Sequence, residues 1–378
     1  MNALSNIPVI TEHNDLAGKK VLLRVDFNVT LDDEGKVMDD YRIKKARPTI
    51  DYLRERGAYV IIASHLEHNN EVVSLKSVSE YFQDEVSHVF VEKYDDVEDA
   101  LGKTGVVLLE NLRFHEEEEA NDDAFARRLA GIADLFVFDA FAVSHREHAS
   151  VVGVTKYLPS YLGLLMVDEI ENLSRAFAPD HPFVFILGGA KFQTKLPLVE
   201  KFLSKADTVF IGGALANDIL KIQGKEIGKS IVSEGDFDLQ SVSNNEKVLI
   251  PRDVIVENSL GEKVGKDIED VNKEDTIWDL GERSLDILGE KIKEAKFILW
   301  NGPVGNYEIG YKEGTEGVAR MLSKSKADVV VGGGDTLTAI ESLDVMDRFS
   351  FVSTGGGAML EFLAKEDLPA LKALRKTR

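Results

Sequence analysis

The stretch RVDFNVT, residues 24–30, follows the apolar run Val21-Leu22-Leu23 and alternates Arg24, Asp26 and Asn28 with Val25, Phe27 and Val29. That is the period of a β-strand with one apolar and one polar face, and here the polar face holds a guanidinium, a carboxylate and an amide in a row. Other apolar runs of the first half end in a similar way, on Ser64 and His65, on Glu110, Asn111 and Arg113, and on Asp139 with His145 and Arg146 just beyond. In the second half the runs end on glycines: ILGGAK, FIGGA, LWNGP, VGGGDT and STGGGA. Guanidinium forks grip carboxylate and phosphate groups in two places, so the first half suits a small, multiply charged organic anion. Glycines let backbone N–H groups and helix N-termini come close to a phosphate chain, so the second half suits a nucleotide. A structural ion pair accounts for any one of these charges taken alone; a ligand accounts better for four polar strand ends together.

Single motifs are weaker. GGAKFQTK is not the GxxxxGK[ST] phosphate loop, and no glycine cluster has the GxGxxG spacing of a dinucleotide fold. Lys191 and Lys195 stand one helical turn apart and would share a face of a helix starting there. Asp335, directly after GGG and before Thr336, suits a magnesium ligand, since magnesium is held by one or two carboxylates plus substrate phosphates; as a helix N-cap it would look the same. The pairs His65/His68 and His145/His148 have a His-x-x-His spacing, but without cysteine or a further ligand cluster it does not make a zinc site. The run EEEE at 116–119 reads as a solvated helix start.

These residues need elements that hold them. Short apolar runs recur along the chain, among them YVIIASH, GVVLLENLR and LFVFDAF in the first half and FVFILGGA, VLIPRDVIV, FILWNGP and DVVVGGGD in the second. Segments such as SLKSVSEYFQDEV and ERSLDILGEKIKEA between them have the helical period. Strands apolar on both faces alternating with helices predict α/β architecture with two doubly wound parallel-sheet (Rossmann-like) domains. With 378 residues the chain exceeds the roughly 250–300 at which one core stops growing. We divide it into residues 1–165, a helix and hinge at 166–180 before the break APDHP, and residues 181–378, with the last segment able to return to the first domain. Ligands of such sheets bind outside the carboxyl ends of the strands, where the polar and glycine clusters lie.

The net charge of −21 argues against nucleic acid or an acidic membrane surface as partner, so a bound anion needs locally placed positive groups. The absence of cysteine excludes disulfides and a cysteine nucleophile and fits a reducing, cytoplasmic setting. The N-terminus has neither the basic start nor the apolar core of a signal peptide, and no apolar run approaches a membrane span.

Taken in order, RVDFNVT, DYRIKKARPTI, SHL, LLENLRFHEEE, SHREHAS, LGGAKFQTKL, IGGALANDIL, WNGPVGNYE, GGGDT and VSTGGGAMLE resemble the phosphoglycerate kinase family over nearly the whole chain. The resemblance implies two hinged domains and reversible transfer of the acyl phosphate of 1,3-bisphosphoglycerate to ADP, with Mg2+ accompanying ADP/ATP, in a cytoplasmic monomer of glycolysis. It implies a glycerate-binding first domain using Asp26, Asn28, Arg42, His65, Arg113 and Arg146, with His68 at a position where arginine is usual. For the second, nucleotide-binding domain it implies Lys195, Gly213, Asn301, Pro303, Glu308, Gly333, Gly334, Asp335 and Thr336, with Asp335 toward the metal. Arg42, Lys191, Lys195 and Gly356, at the start of the helix after Thr354, are assigned to the phosphoryl group in transfer. Beyond His68, the chain departs from the family at Thr30 (usually proline), Phe138 (usually asparagine) and Thr194 (commonly aspartate). The alternative is a nucleotide-binding relative that has lost affinity for the glycerate; Arg42, Arg113 and Arg146, all present, favour the enzyme. A nicotinamide-dependent dehydrogenase is disfavoured by the missing GxGxxG.

Overall fold

The computed structural model describes residues 4–235 and 238–376 and, at Thr194, the backbone alone, so the departure at Thr194 lies outside the described side chains. The chain divides into two compact units, Met1–Glu171 with Lys365–Arg378, and Asn172–Ala364.

In the first unit the strands are β1 (Lys20–Val25), β2 (Tyr59–Ala63), the short hairpin arms β3 (Glu67–His68) and β4 (Glu71–Val72), β5 (Val89–Val91), β6 (Val106–Leu109), β7 (Leu135–Asp139) and β8 (Ser160–Leu162). Six of them form one sheet in the order β5-β6-β2-β1-β7-β8, every pair parallel. Strands β6 and β7 are buried along their whole length and β1 and β2 in all but their first residue, as strands covered on both faces must be. The second unit carries β9 (Phe183–Leu187), β10 (Thr208–Ile211), β11 (Val248–Leu249), β12 (Asp253–Glu257), β13 (Lys263–Asp267), β14 (Thr276–Leu280), β15 (Phe297–Asn301), β16 (Asp328–Gly332) and β17 (Phe351–Val352). Its main sheet runs β11-β10-β9-β15-β16-β17, again all parallel. Both units are thus doubly wound. The strand order reverses beside β1 in one and between β9 and β15 in the other, which puts the ligand crevices at the ends of those strands.

Four local readings are corrected. The strand in RVDFNVT stops at Val25: the Phe27 N–H donates to Ser64 Oγ (2.8 Å) and the Asn28 N–H to Asp26 Oδ1 (3.0 Å), so the backbone leaves the ladder. Val25, Phe27 and Val29 remain buried in the core, so the alternation survives as burial without strand pairing. The run VLIPRDVIV is two strands in two sheets, because Pro251 has no N–H to continue a ladder. Its second half, β12, is the centre of an antiparallel sheet β13-β12-β14 that the sequence reading did not contain. Val254 and Val256 of β12 pack on Leu220, Ile268 and Ile277, while β13 exposes Lys263 and Gly265. Finally, EEEE is a one-turn helix, Glu116–Glu119, but Glu118 is buried and accepts from both the N–H (2.9 Å) and the Oγ (2.5 Å) of Ser150.

Candidate active site

In the first unit the positive groups crowd the ends of β1 and β2. Asp26 is buried, and its Oδ2 lies 3.0 Å from Arg42 Nη1, which also donates to the Asn28 carbonyl at 2.8 Å. Burial pushes the Asp26 carboxyl up, but Arg42, with the Asn28 N–H and Arg24, holds it below its ordinary value. The Asn28 side-chain oxygen accepts the Glu67 N–H at 2.8 Å and so anchors the hairpin. Arg24, 1% exposed, is held from behind by Ser150 Oγ (2.8 Å from Nε), which Glu118 orients, and points Nη2 at His65 Nδ1, 3.3 Å away. Burial keeps the His65 imidazolium well below its ordinary pKa, with Arg24, Arg113 and Arg42 adding to it and Asp26 opposing. His65 is therefore neutral near pH 7; with Nδ1 accepting from Arg24, its hydrogen sits on Nε2.

Arg113 pairs with Glu67 and, at 3.3 Å, with Glu119. Arg146 is exposed. Its neighbour His148 is driven down to about 4 by burial and then by Arg113, Arg24, Arg146 and His145, so these cations share one field. In a chain of net charge −21, such a cluster is a place for an anion. His68 is half-buried on the hairpin arm β3, whose two-residue turn Asn69-Asn70 has both φ angles positive (52° and 63°), the turn that suits a tight hairpin. Asn69 Nδ2 lies 3.0 Å from its Nε2.

Other polar strand ends serve the fold. Glu110 accepts from Ser74 and the Leu75 N–H, and Asn111 Nδ2 donates to the Leu66 and Val73 carbonyls. Asp139 is wholly buried, takes the Met166 N–H at 3.1 Å at the start of the helix Leu164–Ser174, and is raised to about 7 by burial. The His-x-x-His pairs bring no third ligand: among the described residues no group of three or more His, Asp or Glu side chains could hold a metal.

In the second unit the ends of β9 and β15 touch. The Gly188 N–H donates to the Asn301 carbonyl and the Gly189 N–H to the Pro303 carbonyl, at 2.9 and 2.7 Å. A Cβ on Gly188 would stand 2.1 Å from the Pro303 oxygen, and one on Gly302 (φ +88°) 2.5 Å from the Gly188 oxygen, so only glycine allows this approach. Thr336, fully buried, ties the loops further by accepting the Gly302 N–H at 3.0 Å. The helices Phe192–Leu203, Ala214–Ile222 and Gly334–Ser342 start here, and their N-cap residues Lys191, Gly213 and Gly333 supply no side-chain cap. Such starts leave N–H groups and positive dipole ends for an anion, although the Phe192 N–H is already taken by Ser233 Oγ at 2.8 Å.

Two adjoining hollows result. One, of ≈ 270 Å³, is lined by Lys191, Lys195, Asn301, Gly333, Gly334, Asp335 and Gly356 among others. The second, of ≈ 240 Å³, is walled by Leu220, Val254, Ile277, Trp278 and Val304, with Gly213 and Glu308 also on its lining. Gly189, Ala190, Pro303 and Asp335 belong to both. Lys195, 8% exposed, donates from Nζ to the Gly188 carbonyl at 2.6 Å, and burial drives its ammonium down to about 8, with Asp335 opposing. The two lysines do not share a helix face: Lys191 precedes the helix, exposed, with φ 64°. Asp335 is not the N-cap, which is Gly333, but an exposed residue of the first turn. The sequence reading missed Trp278 and Asp279 because they lie on β14; Asp279, raised to about 7 by burial, accepts the Leu280 and Gly314 N–H groups and shapes the wall.

An arginine-rich anion patch on one doubly wound unit, and on the other an apolar pocket opening onto a glycine and lysine recess, are the parts of a phosphotransferase acting between a nucleotide and a small acid. The family model described as phosphoglycerate kinase matches residues 10–366. The phosphoglycerate kinase of Dictyoglomus turgidum is 42% identical, with 96% of each chain covered, and that of Coprothermobacter proteolyticus is 40% identical, covering 95% of this chain and 97% of its own. The solved structure of phosphoglycerate kinase from Coxiella burnetii superposes with a TM-score of 0.81 at 36% identity over 97% of this chain and 98% of its own. That from Pyrococcus horikoshii gives 0.86 at 31% identity over 98% and 99%. The chain belongs to the phosphoglycerate kinase family.

Proposed function

We propose that this chain catalyses the reversible transfer of the acyl phosphate of 1,3-bisphosphoglycerate to ADP, giving 3-phosphoglycerate and ATP, in glycolysis. The family match over residues 10–366 carries the reading, and the two differently lined half-sites support it. Residues 1–165 form the glycerate-binding domain, with Arg42, His65, Arg113 and Arg146 gripping the acid and its phosphate, and Asp26 and Asn28 holding Arg42 and the hairpin in place. Residues from 181 onward form the nucleotide-binding domain, joined through a hinge at 166–180, with the last segment, Lys365–Arg378, returning to the first unit. The nucleoside occupies the pocket of Gly213, Pro303 and Glu308. The phosphates lie in the recess of Lys191, Lys195, Asn301, Gly333, Gly334 and Gly356, with Thr336 bracing its floor.

Transfer needs no covalent nucleophile: catalysis is positioning plus stabilisation of the charge on the moving group by Arg42, Lys195 and helix starts. Mg2+ fits Asp335, an exposed carboxylate lining both hollows beside Lys195, and the nucleotide phosphates would supply further ligands. When bound, the metal would neutralise phosphate charge. We place the reaction in the cytoplasm and take the working unit as a monomer. No helix among the described residues is long and apolar enough to cross a membrane.

Calorimetric titration tests the assignment: Mg-ADP and 3-phosphoglycerate should each bind on their own, and absence of 3-phosphoglycerate binding would overturn it in favour of a nucleotide-binding relative. The pH dependence follows from Lys195. Its ammonium must be charged to act, and in the free protein it deprotonates through about 8. Hence kcat/KM for the nucleotide should fall as pH rises above that value, whereas kcat, set by the phosphate-bound state, should hold to higher pH. A kcat/KM flat from about pH 6 to about pH 10 would contradict this. At the departure from the family pattern, His68→Arg adds a permanent charge, and KM for 3-phosphoglycerate should drop about tenfold, the scale of one charge-assisted hydrogen bond, with KM for ATP unchanged. Equal KM values for wild type and variant at about pH 6 and about pH 8.5 would show that position 68 does not face the acid.

A further inference from the structure

We infer that Asp218 and Ser233 are positioning residues that act together as a remote cap on the helix carrying Lys195, an inference that rests on the role given to Lys195 above. The helix Phe192–Leu203 begins without a cap of its own, since its N-cap residue is the left-handed Lys191. The Phe192 N–H donates instead to Ser233 Oγ at 2.8 Å, across 41 residues of chain. The Ser233 hydroxyl donates to Asp218 Oδ2 at 2.8 Å, and Asp218 Oδ1 accepts the Ser233 N–H at 2.9 Å. A hydroxyl has one hydrogen and two lone pairs; with the hydrogen committed to Asp218, a lone pair is turned to the Phe192 N–H.

Asp218 is 6% exposed and belongs to the helix Ala214–Ile222, which starts at Gly213. Its carboxyl is pushed above the usual range by burial, with the Ser233 N–H and hydroxyl opposing. The mechanism uses neither residue, yet the pair ties the start of the Lys195 helix to the middle of the helix Ala214–Ile222, whose start at Gly213 lines a ligand hollow. Lys195 follows Phe192 by three residues, just under one turn, and its Nζ must reach the Gly188 carbonyl at 2.6 Å. An uncapped first turn frays, and a lysine in a frayed turn no longer holds its charge at one point of the recess.

A double-mutant cycle tests this. Ser233→Ala should lower kcat about fivefold while leaving KM for 3-phosphoglycerate unchanged, and Ser233→Thr, which keeps the hydroxyl, should restore kcat. In a Lys195→Met background Ser233→Ala should have no further effect on the residual kcat, because there is no ammonium left to position. Wild-type kcat in Ser233→Ala beside a crippled Lys195→Met enzyme overturns the inference alone. The same fold loss from Ser233→Ala in both backgrounds also overturns it, since the residue would then support the fold at large. Near-normal kcat in Lys195→Met removes the catalytic role of the lysine and the inference with it.

Discussion

Lys195→Met should lower kcat by about a hundredfold or more, the scale lost with one preorganised electrostatic donor, while affinity for ADP changes far less. Methionine keeps an unbranched apolar stem in the buried part of the site and removes only the ammonium, so the change is close to a deletion of charge. The buried Gly188 carbonyl loses its 2.6 Å partner, but the next residue, Gly189, lines a hollow that water can enter. The loss therefore falls on the step in which charge develops and less on the ground-state complex. Single-turnover measurement of ADP formation, with thermal denaturation to verify folding, gives the answer; near-normal kcat would remove Lys195 from the chemistry.

Arg42→Met should be as damaging for a different reason. Arg42 is the cation nearest the buried Asp26 carboxylate, at 3.0 Å, and Asp26 Oδ2 has no hydrogen-bond partner to replace it. The variant should lose roughly a hundredfold or more in kcat/KM for 3-phosphoglycerate, together with about 3 kcal/mol of stability. That is the low end for breaking a buried pair, because Arg42 itself keeps 27% exposure. Adding Asp26→Asn removes the stranded charge, so the urea midpoint should recover in the double variant while turnover stays low. Recovery of both would show that Arg42 serves only to neutralise Asp26.

The parts of the fold legible in the sequence were those whose physics is local. Strands such as β1, β7, β9 and β15, buried on both faces, stand out as apolar runs, and polar or glycine ends mark where ligands meet them. The strands β13 and β14 did not stand out, and β12 was read only as the tail of the run VLIPRDVIV, because one face of each is less covered and carries charges such as Asp253, Glu257 and Lys263. Within the half-sites, residue types were legible but commitments were not. Glu110, Asn111 and Asp139 have the same appearance in sequence as Asp26, yet the first three are spent on the hairpin and on a helix start. The partners that decide this, such as Ser150 for Arg24, 126 residues apart, and Ser233 for Asp218, are brought together only by the fold. Likewise the left-handed backbone that puts Lys191 outside the helix leaves no trace in the spacing of the lysines. The roles themselves came from the family resemblance.

The most direct test of the account is turnover with its own substrates. Incubated with Mg-ATP and 3-phosphoglycerate, and with the acyl phosphate drawn off by a coupled dehydrogenase, the protein should release ADP at a rate that saturates in both substrates and falls to background when either is omitted. ADP release that does not depend on 3-phosphoglycerate, or nucleotide binding with no turnover at all, would contradict it.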